Sequence, residues 1–212
     1  MQKLNQKYIN SVVKKALDED LKPRGDITTN LISFKNKKSK AKIIAKQNGV
    51  IAGLDFCKAA FKLIGKEATF KAKIKDGKKI KKNKVIAEIK AKTKTILTAE
   101  RTALNFLNHA SGIATITNSF VEKAGKKTKI CCTRKTTPNL RLLEKYAVKK
   151  GGGFNHRYNL SDEVLIKDNH IKAARDLKKL VTRASKSKKL VTVEIENIGQ
   201  LRKILGLSLI HI

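Results

Sequence analysis

The stretch that decides the fold runs from Thr133 to His170: TRKTTPNLRLLEKYAVKKGGGFNHRYNLSDEVLIKDNH. Its reading is strand, helix, strand. The apolar run Lys129-Ile130-Cys131-Cys132 enters the basic loop Thr133-Arg134-Lys135-Thr136-Thr137-Pro138. A helix is expected over residues 138–149, with Pro138 in its first turn and Thr136 or Thr137 as its cap. Val164-Leu165-Ile166 then enters Lys167-Asp168-Asn169-His170. Strands are expected over 128–132, 163–167 and 190–195, and further helices over 170–185 and 197–205. Strands alternating with helices imply parallel β/α units.

In such units the working groups collect at the carboxyl ends of the strands. Each expected strand end here is polar. The first carries Arg134 and Lys135, the second Lys167, and the third, Val191-Thr192-Val193-Glu194-Ile195-Glu196, carries Glu194. Gly151-Gly152-Gly153-Phe154-Asn155-His156-Arg157 lies between the first two. Arg134, Lys135, His156, Arg157 and Lys167 are therefore expected to converge on one basic pocket. Arginine offers a planar fork and lysine a point charge, so the pocket suits a small ligand with several negative groups. The amino end of the helix after Pro138 would add donors for an anion.

Moving outward, residues 96–124 read as a long helix, interrupted at Gly112. Before it the pattern is that of a small α+β domain. Leu4, Tyr8, Ile9, Val12, Val13, Ala16 and Leu17 repeat at helical spacing over residues 3–18. Pro23, Gly25 and the run Asp26-Ile27-Thr28-Thr29 break that helix. Strands are expected over 41–46, 50–52, 69–74 and 85–90, with a helix over 55–63 and a turn at Asp76-Gly77. The fold class is α/β, with an N-terminal α+β domain over 1–108 and a β/α domain over 109–212. A closed barrel needs roughly 200–250 residues. The second domain is therefore either an open α/β layer or an incomplete barrel.

Bulk properties narrow the function classes. The 212-residue chain has 49 Lys and Arg against 17 Asp and Glu, a formal net charge of +32. That excess invites a nucleic-acid reading. However, the lysines are spread end to end, and aromatics make up only 5% with no Trp, so stacking platforms are scarce. No specific nucleic-acid partner is expected. No apolar run of about 18 residues exists, so no membrane span is expected. The N-terminus lacks a signal core, and Cys57, Cys131 and Cys132 lack metal-ligand spacing. A cytoplasmic protein with reduced thiols is expected.

These motifs resemble a known family. The run TRKTTPNLRLLEKYAVKKGGGFNHRYNLSDEVLIKDNHI, with GDITTNLI at Gly25–Ile32, TAERTALNFLNHASGIAT at Thr98–Thr115 and VEIENIGQL at Val193–Leu201, is similar to quinolinate phosphoribosyltransferase (decarboxylating), also called nicotinate-nucleotide pyrophosphorylase. The resemblance implies an N-terminal α/β sandwich followed by an α/β-barrel-like domain. It implies a pentosyltransferase of NAD biosynthesis that uses quinolinate, phosphoribosyl pyrophosphate and Mg2+. The products implied are nicotinate mononucleotide, pyrophosphate and carbon dioxide. A homodimer is implied, in which Arg101 is donated across the interface to quinolinate. Thr133, Arg134, Lys135, His156 and Arg157 would hold quinolinate. Lys167 would stand near the reacting groups, and Glu194 would hold the ribose and its metal. Lys135, Lys167 and Glu194 are the expected catalytic set.

The sequence departs from the family pattern in three places. Cys132 stands where Asp usually precedes TRKT. Asn139 stands where Gly usually follows TTP; Asn tolerates the left-handed backbone region better than most residues. Family chains also continue past the apolar run that ends in Leu209-Ile210-His211-Ile212. This leads to the expectation of a C-terminally truncated barrel domain with exposed apolar edges, weakly stable and weakly active on its own. Two other readings remain beside the enzyme. One is a related phosphoribosyltransferase-like protein with another anionic acceptor, such as the molybdenum-associated relatives. The other is a basic nucleic-acid-binding protein.

Overall fold

A computed structural model describes residues 4–34 and 37–207. Residues 1–3, 35–36 and 208–212, the last five being the end of the apolar tail, lie outside the described residues. The chain divides after His156 into two compact units, each described by itself.

In the first unit, α1 (Gln6–Leu21) begins at Asn5, whose side chain accepts from the Tyr8 amide at 2.8 Å. Ile9, Val13 and Leu17 recur every four residues and are buried. The helix lies three residues later than the periodicity alone suggested. A one-turn helix, α2 (Ile27–Asn30), occupies the segment expected only to break structure. The Asp26 carboxylate makes that turn possible by accepting from the Thr29 amide at 2.9 Å. Hydrogen bonds from Thr29 hold the Asp26 carboxyl below its usual range.

Strands β1 (Lys38–Ile44), β5 (Val85–Lys92) and β3 (Thr69–Ala72) form an antiparallel sheet in the order β1-β5-β3. Ala41 pairs with Ile89 and Ile43 with Ala87. Ala87, Ile89 and Ala91 are buried at period two, whereas Lys38, Lys40 and Lys42 of β1 are exposed. These three lysines lie on solvated sheet surface. The short β2 (Gly49–Val50) pairs antiparallel with β4 (Lys79–Ile80), a strand the sequence reading omitted.

Helix α3 (Leu54–Ile64) packs on α4 (Thr93–Ala124), where the Phe56 and Phe106 rings lie 5.4 Å apart. Gly53, at the start of α3, has no side chain to cap it. Asp76 supplies the cap instead, accepting from the Gly53 amide at 2.9 Å and from the Tyr146 hydroxyl at 2.8 Å. Burial, with Asp76 nearby, pushes the Cys57 thiol up to about 12. The expected break at Gly112 does not occur; α4 runs through it for 32 residues. Ala99, Ala103, Leu107, Ala110 and Ala114 are buried on both sides of Gly112. That packing outweighs the roughly 1 kcal/mol helix penalty of one glycine. α5 (Arg141–Lys150) rests on α4 through the fully buried Leu143 and Ala147.

In the second unit, β6 (Val164–Ile166) and β7 (Val191–Val193) pair in parallel, as expected, with Ile166 opposite Val193. The helix expected over 170–185 is two helices, α6 (Asp168–Ala174) and α7 (Leu177–Ser185). Arg175 takes the left-handed conformation at φ 59°, and Asp176 caps α7 by accepting from the Lys179 amide at 3.0 Å. α8 (Ile198–Leu205) follows β7, capped by Asn197. Ile166, Leu177, Val181, Val191, Val193 and Ile204 form this unit's core. No helix among the described residues is long and apolar enough to cross a membrane.

Candidate anion-binding site

In the first unit, the strand expected over 128–132 is reduced to one parallel bridge, Cys131 to Phe154. The Cys132 amide donates to the Phe154 carbonyl at 3.0 Å, and the Phe154 amide to the Ile130 carbonyl at 2.8 Å. This pairing was not read from the sequence, because Phe154 stands alone among polar and glycine residues. It brings the start of the TRK loop beside Asn155 and His156. Cys132 Sγ lies 3.3 Å from Asn155 Oδ1.

The loop after Cys132 is folded by its own threonines. Thr133 Oγ1 accepts from the Lys135 amide at 3.1 Å, and the Arg134 carbonyl accepts from the Thr136 amide at 3.0 Å. Thr133 and Lys135 are exposed. Arg134 Nε and Nη1 are buried with no hydrogen-bond partner among the described residues. Buried guanidinium donors without acceptors are costly, so this pair is suited to an incoming anion.

The helix expected from Pro138 starts only at Arg141, and neither Thr136 nor Thr137 caps it. The cause is Asn139, which takes φ 65° and ends any continuous helical path from Pro138. Its carbonyl accepts from the Tyr8 hydroxyl at 3.2 Å. Asn139 thus occupies the left-handed region its tolerance allows.

The glycine run does more than end α5. A Cβ on Gly151 would meet the Ala114 carbonyl oxygen and lie 2.7 Å from Thr117 Cβ. A Cβ on Gly153 would lie 2.8 Å from Thr117 Cγ2. Only glycine lets this segment approach α4 so closely before it turns to Asn155 and His156. Two residues that sequence reasoning passed over also touch these loops. Glu144 accepts from the Thr137 amide at 3.2 Å, and Lys145 Nζ donates to the His156 carbonyl at 2.8 Å. Their adjacency on a helix gave no signal by residue type alone. Arg101 lies exposed on α4.

In the second unit, Arg157 is 9% exposed, and its Nη1 donates to the Glu163 carbonyl at 3.3 Å. Its Nε is buried without a hydrogen-bond partner among the described residues. A cavity of about 370 Å³ in this unit is lined by Arg157, Glu163, His170 and Arg183 together with apolar side chains, so its charge is mixed. Lys167 and Glu194 come together at the carboxyl ends of β6 and β7, with Nζ 3.4 Å from Oε2. The Lys167 amide donates to His170 Nδ1 at 2.9 Å, which fixes the turn into α6.

Among the described residues there is no group of three or more His, Cys, Asp or Glu side chains that could hold a metal. Magnesium usually takes one or two carboxylates and fills its shell with water and substrate phosphates. Glu194 is compatible with that manner of binding. Each unit by itself offers a guanidinium with unsatisfied buried donors, Arg134 in the first and Arg157 in the second, and the second adds the strand-end acid Glu194.

Residues 26–111 match the family model described as quinolinate phosphoribosyl transferase, N-terminal domain, and residues 113–209 match the C-terminal domain model. A probable nicotinate-nucleotide pyrophosphorylase [carboxylating] of Methanocaldococcus jannaschii is 44% identical over 204 residues, covering 93% of this chain and 70% of the relative. One from Bacillus subtilis is 41% identical, covering 84% of this chain and 63% of the relative. The chain thus spans about two thirds of these relatives. The crystal structure of NadC from Streptococcus pyogenes superposes with a TM-score of 0.89 at 42% identity, covering 95% of this chain and 74% of that one. Nicotinate-nucleotide pyrophosphorylase from Ehrlichia chaffeensis gives 0.90 at 38%, covering 98% and 76%. The α/β fold class expected from the sequence agrees with these structures.

Proposed function

The chain belongs to the quinolinate phosphoribosyl transferase family, and from that premise we propose that it serves transfer of phosphoribose from phosphoribosyl pyrophosphate to quinolinate, with decarboxylation, in NAD biosynthesis. The observation that carries this reading is the pair of unpartnered, buried guanidinium nitrogens of Arg134 within the TRK loop. They need an anionic acceptor, and a pyridine dicarboxylate supplies one.

Arg134 and Lys135, with Thr133 beside them, take the ring carboxylates. His156 and Arg157 complete the acceptor set. Arg101 is exposed on α4, a placement compatible with donation to a second copy in a homodimer. Lys167 and Glu194 serve the donor, with Glu194 the protein ligand to magnesium. Lys135, Lys167 and Glu194 are the residues assigned to the reacting groups. Among the described residues Cys57, Cys131 and Cys132 form no disulfide, which is compatible with a reducing cytoplasm.

The ring nitrogen uses its lone pair to form a bond to the anomeric carbon as the bond to pyrophosphate breaks. Holding both anions in attack geometry supplies much of the rate. Glu194 would hold magnesium, which when bound would supply positive charge against the pyrophosphate group. Lys167 is assigned a positive charge toward the departing pyrophosphate, since fixed charges in a water-poor site act more strongly than in water. The new pyridinium then accepts the electron pair left as the adjacent carboxylate departs as carbon dioxide, and a proton takes the vacated ring position.

Release of label from carboxyl-labelled quinolinate, dependent on phosphoribosyl pyrophosphate and Mg2+, tests the reading. Label release is the expected result. Absence of both release and quinolinate binding would overturn it.

A further inference from the structure

The loop that carries Arg134 and Lys135 is held at both ends by two consecutive residues of one helix. Lys145 is 1% exposed, among the most buried side chains in the protein. Its ammonium lies 3.1 Å from Cys132 Sγ, at the loop's entrance, and 2.8 Å from the His156 carbonyl oxygen, on the neighbouring segment. Glu144, 8% exposed, accepts from the Thr137 amide at 3.2 Å, at the loop's exit. Its other oxygen lies 2.9 Å from His109 Nε2 on α4.

The loop's own bonds, Lys135 amide to Thr133 Oγ1 and Thr136 amide to the Arg134 carbonyl, shape the turn. Beyond those bonds, Arg141 Nε of α5 donates to Thr136 Oγ1 at 3.0 Å, near the loop's exit. Successive side chains on a helix diverge by about 100°. One turn of α5 can therefore reach the two ends of the loop with opposite charges. α5 is itself anchored on α4 through Leu143 and Ala147. An ammonium and a carboxylate are expensive to bury unless hydrogen-bonded.

We propose that Glu144 and Lys145 are positioning residues that brace the loop 132–137 from both ends and so fix Arg134 and Lys135 for the anionic acceptor. The inference rests on the reading given under Proposed function for what that acceptor is. Lys145 also bridges Cys132 and His156, reinforcing the juxtaposition that the Cys132–Phe154 backbone pairing establishes. Loss of one such charge-assisted hydrogen bond is expected to change an equilibrium about tenfold, which corresponds to about 1.4 kcal/mol.

The test compares the full chain with Lys145→Met in two measurements: hydrogen exchange of the amides of 133–137, and calorimetric titration with quinolinate. Exchange is expected to quicken about tenfold in 133–137 while the amides of α3 stay unchanged, and quinolinate affinity to fall about tenfold. Exchange that is unaltered in the loop, or raised equally everywhere, overturns the brace. So does unchanged quinolinate affinity in a folded Lys145→Met. Should Lys145→Met not fold, Cys132→Ala, read against Asn155→Ala as its control, removes the sulfur contacts with Lys145 and Asn155 and leaves the His156 bond. It is expected to quicken loop exchange to a smaller degree, and unaltered exchange there is equally contrary. Failure of the parent chain to bind quinolinate would count against the proposed function, while the exchange comparison still decides the brace.

Discussion

Lys167 Nζ stands 3.4 Å from Glu194 Oε2, across the carboxyl ends of two adjacent parallel strands. The two side chains remain 41% and 57% exposed. A pair this open contributes at most about 1 kcal/mol to stability. Its partners can therefore turn toward a bound anion or metal at little cost. Lys167→Met is expected to leave the thermal midpoint within a few degrees of the parent. The same change is expected to lower label release from quinolinate about a hundredfold. Parallel measurement of both would show whether the pair is functional, and a large fall in midpoint with unchanged turnover would show it is structural.

Gly151 is where packing is least forgiving. A Cβ there meets the backbone of α4 at the Ala114 carbonyl, so nothing flexible can move aside. Gly151→Ala is expected to destabilise by about 1–3 kcal/mol, read as a lower urea midpoint. An unchanged midpoint would mean that the glycine run only ends a helix.

Asn139 at φ 65° separates two kinds of substitution. Asn139→Gly should be tolerated or slightly stabilising. Asn139→Val should cost about 1–2 kcal/mol, since a β-branched residue is strained in the left-handed region. Equilibrium unfolding of the two variants side by side measures the difference.

The acid limb of stability follows from Asp26. Hydrogen bonds from Thr29 depress its carboxyl in the folded chain. The stability it contributes is therefore present above the ordinary aspartate value of about 3.9 and is lost as pH falls through the depressed folded value. Thermal midpoints taken from neutral pH down to about pH 2 should fall less steeply in Asp26→Asn than in the parent. Parallel acid limbs would contradict the assignment.

How much of this was legible in the sequence depended on whether a signal was local. Helix α1 to within one turn, α3, and the parallel pairing of β6 with β7 followed from apolar periodicity. The placement of Lys167 and Glu194 at adjacent strand ends then followed from that pairing. Long-range terms were not legible. The Cys131–Phe154 bridge depends on the contact of the glycine run with α4, and the uninterrupted α4 depends on alanines packed on both sides of Gly112. The split between α6 and α7 turned on Arg175 adopting φ 59°, which no residue type at that position announces. Glu144 and Lys145 were invisible as site residues because their roles exist only once Cys132, Thr137 and His156 have been gathered around them.

Calorimetric titration of the chain with quinolinate, beside an Arg134→Ala/Lys135→Ala double variant, tests the central claim most directly. The account predicts saturable binding by the parent and affinity reduced about a hundredfold or more in the folded double variant, because two charge-assisted contacts are lost. No saturable binding by the parent, or equal binding by both proteins, would contradict it.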